Sequence, residues 1–155
     1  MERFLLLGLG FSLLAPIGMV QAHLGETLEE CGVRYGEPTV AMKDSVIYKK
    51  NGFEIGTLFV NGKVEGVTYK KESKDGFFPQ KISLEEIYQI LKSNCPNSTF
   101  TTKDSGNKWA FYCTEDGNYA DYDLIKHCLV IMSQNGRTAF EQMVQKKATA
   151  ATGGL

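Results

Sequence analysis

Two Asn-Gly pairs, Asn51-Gly52 and Asn61-Gly62, are separated by eight residues of strand-forming sequence and constrain this chain more than any other feature. A two-residue hairpin turn needs positive φ at both central positions, which Asn and Gly tolerate and branched residues do not. Pairing outward from these turns sets Tyr48 opposite Ile55 and Phe59 opposite Val64. One face of the resulting three-stranded meander then collects Val46, Tyr48, Phe53, Ile55, Phe59 and Val64. Strict alternation gives the other face Lys49, Glu54, Lys63 and Glu65 among Ile47, Leu58, Val60, Val67 and Tyr69.

A short helix precedes the meander. Thr27 and Glu30 have the spacing of a capping box, Leu28, Cys31 and Tyr35 recur on one side, and Gly36 with Pro38 ends the element. The same grammar returns at Ser83-Leu84-Glu85-Glu86, where Ile82 and Ile87 form a hydrophobic staple and Leu84, Ile87, Ile90 and Leu91 the buried stripe. Pro96 stops this second helix, and strands are expected at Thr99–Lys103, Lys108–Thr114, Tyr119–Tyr122 and His127–Ser133. The chain thus reads as α+β: two tandem helix-plus-antiparallel-meander units, about 25–71 and 82–133, sharing one sheet of about seven strands with both helices on one face. From Gly136 onward a short helix, Thr138–Lys147, and a frayed small-residue tail are expected.

The N-terminus carries its own signal. Arg3, the apolar run Phe4–Leu14, the breakers Pro16 and Gly18, and Val20-Gln21-Ala22 before His23 have the layout of a cleaved export peptide spanning residues 1–22. The run is too short to span a bilayer, and no later stretch is long and apolar enough to do so. The protein is therefore expected to be exported, to the periplasm or the exterior, as a domain over residues 23–135 with the helix and tail at 136–155. A formal net charge of -1 gives no overall attraction to nucleic acid or to an anionic membrane.

The spacing Gly25-x-Thr27, then Cys31, then Tyr35-Gly36-x-Pro38, followed by paired Asn-Gly hairpins, resembles the opening of the SmpA/OmlA (BamE-like) module. Two such units in tandem are similar in layout to the beta-lactamase inhibitor proteins, whose helices pack on one side of a continuous curved sheet. The second unit departs from the module's pattern, with Ser83 for the Thr and no Gly-x-Pro closing its helix, and no Cys precedes Cys31 to take the lipid that BamE-like proteins carry. The resemblance implies a fold and an envelope setting.

No Cys-x-x-Cys, His-Glu-x-x-His, Gly-x-Ser-x-Gly or phosphate-loop pattern occurs, which removes the commonest enzyme templates and leaves no cofactor implied. Asp121, Asp123, Glu115 and Asp116 flank turns, where acids cap backbone amides. His23 would stand beside a free amine after cleavage, a bidentate copper chelate whose second imidazole could come only from His127. The four cysteines, Cys31, Cys95, Cys113 and Cys128, allow three full pairings or four buried thiols. Alternation separates Cys113 from Cys128 and hangs Cys95 over the face of Cys113, favouring a Cys95–Cys113 bridge.

Three functional classes follow: a noncatalytic binding or envelope-assembly protein, an inhibitor of a secreted enzyme, and a small copper protein. The leading expectation is contact with another protein of the envelope or exterior through the sheet face left bare by the helices. Tyr112, Tyr119, Tyr69 and Met132 are its expected anchors, with Lys63, Glu65, Lys108 and Asp121 among them. The competing expectation is that the C-terminal segment covers that face, with Phe140 and Met143 as plugs.

Overall fold

The computed structural model of the chain describes residues 23–113 and 115–152, so the expected export segment lies outside the described residues. The elements run α1 (Leu28–Tyr35), β1 (Val40–Ala41), β2 (Ser45–Lys50), β3 (Phe53–Val60), β4 (Lys63–Lys71), α2 (Leu84–Asn94), β5 (Phe100–Asp104), β6 (Lys108–Cys113), β7 (Tyr119–Asp123), β8 (Cys128–Met132) and α3 (Gln134–Thr152). The fold is α+β, with one eight-stranded antiparallel sheet in the order β1-β2-β3-β4-β8-β7-β6-β5.

Local chemistry accounts for the boundaries. Asn51 and Asn61 both take positive φ, each followed by a positive-φ glycine, and Tyr48 pairs with Ile55 and Phe59 with Val64 as the hairpins require. Both expected capping boxes are formed, Thr27 with Glu30 and Ser83 with Glu86. Ile82 and Ile87 are fully buried beside the second. Leu28 and Leu84, each the first residue of its helix and next to the N-cap, are instead about half exposed.

One irregularity decides which side chains enter the core. Leu58 pairs with Gly66 but Phe59 pairs with Val64, so Glu65 has no partner and bulges from β4. The extra residue reverses the alternation, and Val64 before it and Val67 and Tyr69 after it point the same way. Tyr69 is therefore not a surface anchor. It is fully buried, and Asn94 Nδ2 donates to its hydroxyl at 3.1 Å. Val67 moves to the core for the same reason.

Cys31 and Tyr35 of α1 and Ile87, Ile90 and Leu91 of α2 join Tyr48, Ile55, Tyr69, Phe111, Tyr122 and Leu129 in one core cluster. Tyr35 lies 5.0 Å from Tyr48 between ring centroids, and Tyr88 meets Phe111 edge-on at 5.8 Å. The Tyr122 hydroxyl accepts from the Ile82 backbone amide at 3.0 Å, tying the entry of α2 to the sheet. Phe111, Tyr122 and the partly buried Trp109 serve this packing and not a stacking platform.

The C-terminal helix is longer than its sequence suggests. Ser133 Oγ accepts from the Gly136 amide at 3.0 Å and Ser133 O from the Arg137 amide, so α3 starts at Gln134 and not Thr138. It continues through the Ala-rich stretch expected to fray, alanine being the best helix former. Among the described residues no helix is long and apolar enough to cross a membrane.

Candidate functional site

Directly paired residues share a face, so the register assembles the sheet side turned away from the core as two rows. One runs Ser45, Leu58, Gly66, Met132, Tyr119, Tyr112, Thr101, and the other Ile47, Gly56, Thr68, Val130, Asp121, Ala110, Lys103. Three of the four expected anchors, Tyr112, Tyr119 and Met132, stand in the first row; Tyr69 does not.

The C-terminal helix divides this face. It packs against β3, β4 and β8, and its Phe140 and Met143 line a groove of 490 Å³ whose floor includes Leu58, Met132 and Ile47. The covering expected of the C-terminal segment is thus realised over one half of the sheet, although Phe140 and Met143 keep about two fifths of their surface in solvent. Among the described residues α3 makes its main contacts with β3, β4 and β8 and reaches the half built from β5, β6 and β7 at its first turn, through Arg137 beside Tyr119.

Tyr112 and Tyr119 dominate that open half. Their rings lie 5.2 Å apart at 55°, and Tyr112 is 41% exposed. The Tyr119 hydroxyl donates to Asp121 Oδ2 at 3.1 Å, and Lys108 Nζ is 3.1 Å from the same oxygen. Burial and then the Asp121 carboxylate push the Tyr119 phenol up to about 12, which keeps it a neutral donor at physiological pH. On its other side the Arg137 guanidinium sits 5.5 Å from the Tyr119 ring centroid. Arg137 was not legible as a site residue, because the sequence places the start of its helix one residue too late to include it. Chemically, the arrangement is an aromatic pair ringed by Lys, Asp and Arg, suited to adhesion and hydrogen bonding.

The other candidates disperse. Gly25 N donates to Val64 O beside His23, whereas His127 precedes Cys128, which pairs with Lys70 six residues further along β4. That spacing is about 20 Å of strand, so the two imidazoles cannot complete one copper site. Burial and Arg34 hold His23 below the ordinary histidine range against an opposing effect of Glu26. Among the described residues, no three His, Cys, Asp or Glu side chains gather as a metal site.

The expected Cys95–Cys113 bridge is not formed; all four cysteines are free thiols. Cys113 does face away from Cys128, as alternation requires: Cys128 shares the row of Lys70 and Asp123 on the other side. Cys95 accepts from Asn118 Nδ2 at 3.1 Å, that amide also binds Asp116, and the Cys113 thiol donates to Glu115 at 3.0 Å. Polar side chains from the β6–β7 turn satisfy both thiols in place of a sulfur–sulfur bond.

No protein-family model, curated protein or solved structure matches the chain.

Proposed function

We propose that this is an exported, noncatalytic protein of the cell envelope or exterior that works by binding another protein through the β5–β7 half of its open sheet face. The observation that carries the reading is the exposed Tyr112 packed at a tilt against Tyr119, flanked by Lys108, Asp121 and Arg137, in the part of the face that α3 meets only at its first turn. Aromatic anchors within a polar rim are the usual energetic centre of a protein interface. We read the framework as two BamE-like units in tandem with both helices on the core face. The paired capping boxes and the meeting of the two meanders at β4 and β8 support that arrangement. With α1 and α2 on one side and α3 packed over β3, β4 and β8 on the other, the rest of that other side is left for a partner.

A photo-crosslinking residue at Tyr112 tests the binding claim in the native compartment. It should trap a discrete envelope or secreted protein that the same residue at exposed Glu85 on α2 does not. Identical products from both positions would remove the proposed surface.

A further inference from the structure

Among the described residues, four large apolar side chains are more than 70% exposed: Val33, Phe77, Phe78 and Ile125. The last three sit at one end of the sheet. Phe77 and Phe78 top the connection that leaves β4 after Lys71, and Ile125 tops the β7–β8 turn, whose Cys128 pairs with the adjacent Lys70 of β4. Such a concentration is not the scattered apolar exposure ordinary for a surface.

The rings are held outward. The Asp75 carboxylate accepts from the Phe77 amide at 3.1 Å and from the Ser73 hydroxyl, and Gly76 takes φ 83 to reverse the chain. Gln80 closes the base, its amide nitrogens donating to Lys71 O and, at 2.6 Å, to Glu72 O. Ile125 is fixed likewise, its amide and that of Lys126 donating to Asp123 Oδ1. Both turns therefore keep apolar tips in water although the core lies within one strand length.

Charge identifies what such tips meet. Of the acids at this end, Glu72 is paired with Lys49, Glu54 with Lys70 and Glu86 with Lys71, while the Asp75 and Asp123 carboxylates are taken up by turn amides and leave the tips a net excess of one positive charge against Lys74, Lys81 and Lys126. Lys74 and Lys81, which bracket the Phe pair, have no ion pair among the described residues, and Lys126 follows Ile125. We infer that this end docks on an anionic phospholipid bilayer, with Phe77, Phe78 and Ile125 entering the headgroup region and Lys74 and Lys81 meeting lipid phosphates. Aromatic rings partition to that depth, and lysines hold their ammonium groups at the surface while their stems follow the rings. The whole-chain charge of -1 does not oppose this, because a surface potential acts over about a Debye length and reads the local tip.

Co-sedimentation with phosphatidylglycerol–phosphatidylcholine vesicles tests it, using the protein from His23 onward, which holds every core residue described above. The wild type should pellet with these vesicles. Phe77→Ser with Phe78→Ser, at positions outside the core, should lower partitioning by about tenfold or more. Replacing Lys74 and Lys81 with Gln should lower it by about fivefold per lysine. A Phe78→Trp variant should retain binding and show a blue-shifted emission in vesicles that Trp109 alone does not give. Absence of vesicle binding, or binding that survives loss of both rings, overturns the proposal. So does sedimentation equilibrium showing that the rings mediate self-association. The Tyr112 surface is distant, so Tyr112→Ser should leave vesicle binding unchanged.

Discussion

The carbonyl oxygen of bulged Glu65 faces the α carbon of Gly136 so closely that a Cβ built on Gly136 would lie 2.0 Å from it. Ser133 binds the same bulge, its amide donating to Glu65 O at 2.9 Å and its hydroxyl to the Glu65 carboxylate. The bulge thus sets the facing of Val67 and Tyr69 and also receives the first turn of α3.

Gly136→Ala should therefore undock α3. Alanine gains about 1 kcal/mol of helix propensity, but a backbone oxygen cannot yield as a flexible side chain does, and a net loss of about 1–3 kcal/mol is expected. Hydrogen exchange at Phe140 and Met143 should accelerate while that of β7 stays slow. Unchanged protection along α3 would refute the docking.

Tyr69→Phe removes the acceptor of the Asn94 hydrogen bond inside the core and should cost about 1 kcal/mol, since Asn94 Nδ2 retains Ile90 O at 2.8 Å. Tyr69→Ala leaves a cavity and should cost about 3–5 kcal/mol in chemical denaturation. A surface tyrosine would show neither loss.

Much of this was legible in the sequence because local chemistry decided it. The Asn-Gly turns fixed two registers, and the Thr27–Glu30 and Ser83–Glu86 boxes fixed two helix starts. What escaped was non-local. The Glu65 bulge has no composition of its own, and it alone moved Tyr69 from the face to the core. The cap at Ser133 depends on a strand delivering it to Glu65, so α3 and the place of Arg137 over Tyr119 were hidden as well. The Tyr112–Tyr119 pair was legible because no bulge intervenes between β6 and β7.

Thiol chemistry should report burial. Desolvation first, then the Glu26 carboxylate, pushes the Cys31 thiol up from 9.0 to about 12, and desolvation and Asp116 raise Cys95 to about 12. Both thiols favour the neutral form in the folded state, so their contribution to stability is complete below about pH 9 and is lost as pH rises toward 12. Denaturation midpoints should fall across that alkaline window, and Cys31→Ala should flatten the slope. At neutral pH, iodoacetamide should label Cys31 and Cys95 slowly until denaturant is added. Rapid labelling of the native protein would contradict the burial.

The two caps offer a matched comparison. Thr27→Ala and Ser83→Ala should each cost about 1 kcal/mol, read as a shift of the urea midpoint at constant slope. Loss at only one site would show that the two helix starts are not equivalent in energy.

The claim that the protein binds through the bare half of its sheet rests most directly on one equilibrium constant. With the protein trapped from position 112 purified, its Kd should rise about tenfold or more for Tyr112→Ser, a substitution at an exposed ring that leaves the core untouched. An unchanged Kd for the folded variant would contradict the account and move the binding surface elsewhere.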